Sequence, residues 1–192
     1  MKKSLIVIFS VLLLDQVSKI LVKTTMAIGE AIPVFGKWFY ILFIENNGMA
    51  FGWEFSNAVW GKIFLSLFRV VAVILLFWLI SRMVKSKVKF GPVFGVSLIT
   101  AGAIGNIIDC LFYGMIFGYA GFLQGRVVDM LYFPLFTFPE WMPFLGGEVF
   151  FSPIFNIADS AITIGIFYLL IFQWKFLKNF ENIIKLNRQS GV

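Results

Sequence analysis

The chain has 192 residues, 60% hydrophobic and 14% charged, with a mean hydropathy of +0.92 and a net charge of +6. Soluble domains are about half apolar and about a quarter charged, so this composition excludes an ordinary soluble core and reads as an integral membrane protein. Histidine is absent, which excludes Ser-His and Cys-His catalysis and the usual zinc sites.

Four stretches are near the ~20 apolar residues that a bilayer span needs. The first covers about 4–22 and follows Lys2 and Lys3. It resembles the start of a secretory signal. However, Asp15-Gln16-Val17-Ser18-Lys19 occupies the place of a cleavage site, so it reads as a retained first helix. An outer loop over 23–58 follows. Its run from Trp38 to Ile44 reads as a short strand or two, ending at the turn signal Asn46-Asn47-Gly48. The second and third spans cover about 59–80 and 92–113. A second outer loop over 114–153 is rich in Phe, Pro, Gly and Trp, and its Phe133-Pro134, Phe138-Pro139 and Trp141-Met142-Pro143 stretches read as irregular structure in the headgroup region. The fourth span covers about 154–174.

The basic residues set orientation. Ten of them precede the first span, fill the short loop between spans two and three, or follow the fourth span. Lys23, Lys37 and Arg126 are the three in the other two loops. That asymmetry puts both termini in the cytoplasm and the two long loops outside. It also explains the net charge without nucleic acid, because the basic residues mark topology and contact with anionic lipid. The expected fold class is therefore an all-α membrane protein. It has four transmembrane helices, cytoplasmic termini and a small β-containing extracytoplasmic loop region, as a single domain over 1–192.

The chain has four aspartates, Asp15, Asp109, Asp129 and Asp159, each in or beside an apolar segment. A central Asp costs about 2.5–3.5 kcal/mol on insertion scales, so their placement points to use. Helix rise puts Asp15 about 16 Å along the first span and Asp109 about 25 Å along the third. With that topology, all four converge on the outer half of the membrane. Asn106 and Asp109 share a helix face at i, i+3, and Asn156 and Asp159 repeat the spacing. An Asn supplies two N–H donors to a buried carboxylate. Asp15 and Lys19 form an i, i+4 pair that either neutralises itself or belongs to the site. Ala101, Gly102, Ala103 and Gly105 form a small-residue face, for plain helix packing or for a substrate helix. Cys110 is the single cysteine, cannot form an intrachain disulfide, and reads as a small buried hydrophobe. Lys62 and Arg69 read as snorkelling or structural.

Read from these residues alone, two non-enzymatic classes compete with a carboxylate enzyme: a proton-coupled transporter, and a membrane subunit that binds a partner helix. A Ser-Lys peptidase using Ser18 and Lys19 does not fit, because adjacent helical residues point about 100° apart.

Five motifs in order carry a resemblance. They are Asp15-Gln16-Val17-Ser18-Lys19, Asn46-Asn47-Gly48-Met49-Ala50-Phe51, Gly102-Ala103-Ile104-Gly105-Asn106-Ile107-Ile108-Asp109, Val127-Val128-Asp129 and Phe155-Asn156-Ile157-Ala158-Asp159-Ser160. Together they resemble the lipoprotein signal peptidases, the type II signal peptidases of bacteria. The resemblance implies an aspartic endopeptidase of the bacterial cytoplasmic (inner) membrane. Such an enzyme cuts signal peptides from prolipoproteins just before the diacylglyceryl-cysteine, uses no metal or cofactor, and is inhibited by globomycin. It implies Asp129 and Asp159 as the catalytic pair, with Asp15, Asn46, Asn106, Asp109 and Asn156 as supporting polar residues; Lys19 and Gly48 are expected to support the site or bind substrate beside them. The family usually has Arg directly after the third-span Asp, where this chain has Cys110. Arg126, near Asp129, is the expected replacement. The interval between the two catalytic aspartates is also long, with an insertion around Phe133 to Phe151.

Overall fold

A computed structural model describes residues 1–47 and 59–179. Uncharged apolar runs in lipid must satisfy every backbone N–H and C=O internally, and the helix does this within one segment. Helix α1 covers Lys2–Thr25, α2 Val59–Lys85 and α3 Phe90–Ile108. A wider π-helical turn, Asp109–Tyr113, and the short α4, Gly114–Ile116, extend α3. Helix α5 covers Ile157–Phe172, and α6, Trp174–Lys178, follows it. Among the described residues, three helical segments are long and apolar enough to cross a membrane: Lys2–Thr25, Gly61–Lys85 and Phe90–Ile116. Helix α5 is shorter, with 16 residues. The faces of α1, α2 and α5 that carry Phe9, Phe64, Phe68, Phe167 and Phe172 are exposed, as lipid-facing surfaces should be.

Helix α3 is the hub, packed by α1, α2 and α5. Ile8, Ile80, Met83, Val93, Val96, Ala101 and Leu169 form the core between these helices. The small-residue face of α3 serves this packing. A Cβ on Gly102 would stand 2.1 Å from the carbonyl oxygen of Ala158, so α3 and α5 meet backbone to backbone. The face is thus filled by α5, which answers the choice between packing and a substrate groove.

The sequence-based expectation underestimates the β-structure. Strands β1 (Ala31–Phe35), β2 (Phe39–Asn46), β3 (Val127–Tyr132) and β6 (Ile154–Phe155) form one antiparallel sheet in the order β1-β2-β3-β6. Glu45 pairs with Val128, and Ile44 with Asp129. Strands β4 (Phe136–Thr137) and β5 (Val149–Phe150) make a separate hairpin. Within 114–153 the Phe133-Pro134, Phe138-Pro139 and Trp141-Met142-Pro143 stretches lie outside helix and strand, as expected, while β3, β4 and β5 are strands that the sequence did not announce. The loop's aromatic residues alternate and pair across strands, with Phe39 and Phe133 stacked at 4.5 Å and Phe136 and Phe150 at 4.8 Å. Asp129 lies on a strand. Residues 154–155, placed in the fourth span from hydropathy, are strand β6, and the helix begins at Ile157. A second apolar cluster (Val22, Phe43, Tyr113, Val128 and Met130) fastens the sheet to the end of α1 and to the π turn.

Candidate active site

Helix α5 starts with a capping box. Asn156 is the N-cap, and its Oδ1 accepts the Asp159 backbone N–H at 2.9 Å. In return the Asp159 Oδ2 accepts the Asn156 backbone N–H at 3.2 Å. Ser, Thr, Asp and Asn favour this position because their short polar arms satisfy orphan N–H groups. The cap holds the Asp159 carboxylate at the positive end of the helix dipole.

The same Asn156 reaches the sheet. Its Nδ2 donates to Asp129 Oδ1 at 2.7 Å, and to Asn106 Oδ1 at 3.1 Å. Asn46, at the end of β2, donates to the other Asp129 oxygen at 3.1 Å. Asn106, from α3, donates to Asp159 Oδ1 at 2.8 Å. Two carboxylates from different elements are thus joined through one asparagine, and each accepts two hydrogen bonds.

Beneath them lies a buried ion network. Lys19 has no exposed side-chain surface and contacts Asp15 at 2.9 Å and Asp109 at 2.8 Å. Its third donor goes to Asn106 Oδ1 at 3.0 Å. Asp15 also accepts the Ala158 backbone N–H at 2.9 Å, in the first turn of α5. Asp109 accepts the Val128 N–H at 3.3 Å, one residue before Asp129. Gly105 makes room for this, since a Cβ there would stand 2.5 Å from Asp15 Oδ2. The charges of Asp15 and Lys19 pair, and Lys19 also reaches Asn106, the donor to Asp159. Among the described residues no buried side-chain N or O lacks a hydrogen-bond partner.

Burial pushes the Asp129 carboxyl up to about 7, and the neighbouring Asp159 charge pushes the same way. The donors Asn46 and Asn156 act in the opposite direction and do not outweigh them.

Of the residues singled out in the sequence, Asp15, Lys19, Asn46, Asn106, Asp109, Asp129, Asn156 and Asp159 form one connected group. Gly48 lies outside the described residues. Arg126 is drawn elsewhere. It is half-exposed, packs its guanidinium 5.5 Å from the Tyr119 ring centroid and donates to Glu45 at 3.0 Å. Glu45 also pairs with Lys23, and although burial raises its pKa, hydrogen bonds from Lys23 and Arg126 hold it below the ordinary carboxylate value. The guanidinium beside Cys110 comes from Arg69 on α2, whose Nη1 donates to the sulfur at 2.9 Å. Sequence reasoning gave Arg69 no such place, because no local spacing links positions 69 and 110.

Gln16 was also missed. It donates to Asp15, the Gly105 carbonyl and Asp109 at 3.1, 3.2 and 3.0 Å, and accepts from the Tyr113 hydroxyl at 3.1 Å. Its signal was available: an uncharged polar residue beside Asp15 in an apolar helix.

A family model described as signal peptidase (SPase) II matches residues 7–175. The chain belongs to the signal peptidase II family. A lipoprotein signal peptidase of Porphyromonas gingivalis is 48% identical over 180 residues, spanning 83% of this chain and 77% of the relative. One of Pelodictyon phaeoclathratiforme is 35% identical over 179 residues, spanning 91% and 92%. A solved structure described as a bacterial membrane enzyme superposes with a TM-score of 0.66 at 28% identity, covering 90% of this chain and 93% of the other. Signal peptidase II is an aspartic peptidase family, so the match gives the transporter reading no support. The architecture is a membrane enzyme fold with several apolar helices and a small sheet.

Proposed function

We propose that this chain removes the signal peptide from lipid-modified prolipoproteins, with Asp129 and Asp159 as its acid pair. One observation carries the assignment: Asn156 hydrogen bonds to both carboxylates, at 2.7 Å and 3.2 Å, in a chain of the signal peptidase II family.

Two carboxylates in one site do not ionise together easily, so the pair keeps one proton near neutral pH. Asp129, 2% exposed on its strand and facing the charge of Asp159, is the member that keeps it. Asp159, partly exposed at the N-terminus of α5, is the base. Water held between them gives a proton to Asp159, and its oxygen attacks the scissile carbonyl. The Asp129 proton stabilises the oxyanion. As the C–N bond breaks, Asp159 passes the proton it took from water to the amide nitrogen of the lipid-bearing fragment, and the signal peptide leaves as a carboxylic acid that ionises in water. The buried Lys19–Asp15–Asp109 network fixes Asn106 and β3 around the pair.

The topology in this reading is four spans with cytoplasmic termini, formed as one unit over residues 1–192 in the bacterial inner membrane. The ten-to-three distribution of basic residues supports it. The site then faces outward, at the height where the substrate's diacylglyceryl-cysteine sits, and the membrane itself aligns the bond. Asn46 and Asn106 contact the pair directly, and Asp15, Lys19 and Asp109 position it.

The test is incubation of the purified chain in bilayers with a diacylglyceryl-modified precursor, followed by mass spectrometry. Cleavage just before the modified cysteine, blocked by globomycin, is expected. An intact precursor in the presence of folded protein contradicts the reading.

A further inference from the structure

The β4–β5 hairpin has no part in the chemistry above. It leaves the main sheet after β3 and returns to it at β6. Its stem is held by Leu135 N–H to Phe150 O at 3.3 Å, Phe138 N–H to Glu148 O at 2.9 Å and Gly147 N–H to Phe138 O at 3.1 Å. Packed rings reinforce it, with Phe136 and Phe138 edge to face at 5.1 Å. The tip, 140–147, is a run of turns that buries almost nothing. Trp141 is 79% exposed and Phe144 fully exposed, with Leu145 beside them. Phe144 has φ +68°, a left-handed conformation that bulky side chains rarely adopt. The hairpin thus holds a strained backbone and presents an aromatic ring to its surroundings, which would be costly in water.

Three observations identify the occupant of that surface. First, the hairpin is tethered close to a bilayer boundary. Six residues lie between Phe150 and Ile157, the first residue of α5, so the stem lies within about 25 Å of that helix end. Second, α5 continues the same apolar exposure with Ile164, Phe167 and Ile171, its lipid-facing row. Third, no Lys or Arg occurs between Arg126 and Lys175, and the hairpin carries only Glu140 and Glu148. Attraction to anionic headgroups is therefore unavailable, and insertion has to be apolar. Trp and Phe at a turn tip suit the headgroup–acyl boundary, where an amphipathic ring has one wet side and one dry side.

We propose that the 135–150 hairpin dips its tip, Trp141, Phe144 and Leu145, into the outer surface of the bilayer that holds the helices. It acts as an extra anchor for the sheet that carries Asp129. The inference requires the helices to lie in a membrane and is independent of the acid-pair mechanism.

The experiment uses the full-length chain reconstituted in phosphatidylcholine vesicles without anionic lipid. Trp141→Cys and Phe144→Cys are each spin-labelled, and the unsubstituted chain is the labelling blank for buried Cys110. Both positions are exposed, so neither substitution removes core packing. Collision of each label with oxygen, which concentrates in lipid, is compared with collision with a water-soluble nickel relaxer. Oxygen collision several-fold above that of the nickel relaxer at both sites is the expected result. Nickel-dominated collision places the tip in water and overturns the proposal. Shielding from both relaxers signals a protein partner or a second copy, and overturns it equally. Lipid exposure that appears only after anionic lipid is added also contradicts it, because the tip has no basic residue to respond.

Discussion

Lys19 donates to the Oδ1 of Asn106 at 3.0 Å, and that bond fixes which end of the amide faces Asp159. With Oδ1 turned toward Lys19 and Asn156, the Nδ2 of Asn106 has only the Asp159 carboxylate to approach, at 2.8 Å. A buried ammonium on α1 thus orients a donor on α3 toward a carboxylate on α5.

Asn106→Asp tests the donor alone. The new carboxylate still accepts from Lys19 but cannot donate to Asp159, and it adds a like charge beside it. We expect a folded protein whose kcat for a lipidated precursor falls about 100-fold, similar to the loss of one preorganised hydrogen bond at a reacting group. A kcat within a factor of two of the parent would show that this contact does not matter to turnover.

Lys19→Ala should act on folding. It leaves Asp15 and Asp109 buried beside each other without their shared cation, and breaking a buried pair in this way costs about 3–5 kcal/mol. Thermal unfolding in detergent should show a large drop in midpoint. An unchanged midpoint would remove the ion network from the account.

The raised carboxyl of Asp129 makes both stability and rate depend on pH. Its folded pKa of about 7 lies above the ordinary carboxyl value of 3.8, so between those values the native state binds the extra proton. Stability from this group therefore falls as pH rises through that window, and the loss is complete above pH 7. Asp129→Asn lacks this penalty. Above pH 8 the variant should be more stable than the parent by on the order of 2 kcal/mol, after allowing for one poorer hydrogen bond. The parent's peptidase rate should decline on an alkaline limb centred near 7, as the shared proton is lost. Equal stability of the two proteins across pH 4 to 8 would contradict the assignment of the proton to Asp129.

Much of this arrangement was legible in the sequence, for identifiable reasons. Long, mostly apolar runs leave the backbone no alternative to helices, so the helices, though not the number that cross a membrane, were located to within a few residues. Asp129 and Asp159 stood out because no basic residue within a helical turn explains Asp159. What local spacing could not reveal were contacts between distant elements. Nothing near Cys110 announces Arg69, and nothing near Arg126 announces Glu45, because each meeting depends on how two elements pack. The β4–β5 pairing was not announced because its strands are two residues each, too short for alternation to register. Gln16 was overlooked because an amide between stronger charges looks incidental until its four partners are seen.

The α3–α5 contact gives a further prediction. Gly102→Ala places a methyl group 2.1 Å from the Ala158 carbonyl oxygen, on rigid backbone with no side chain to yield. Overpacking of this kind costs about 1–3 kcal/mol. It should also push α5 and its capping box away from Asn106, so activity should fall further than stability alone accounts for. Calorimetry and precursor turnover on the same preparation check both. Unaltered values in both would mean that the helices do not touch there.

The most direct measurement is cleavage of a diacylglyceryl-modified precursor by the parent, Asp129→Asn and Asp159→Asn proteins, each shown to be folded by its unfolding transition. The parent should release the signal peptide, and each variant should lose at least about 100-fold in rate. Full activity in either folded variant would contradict a shared acid pair.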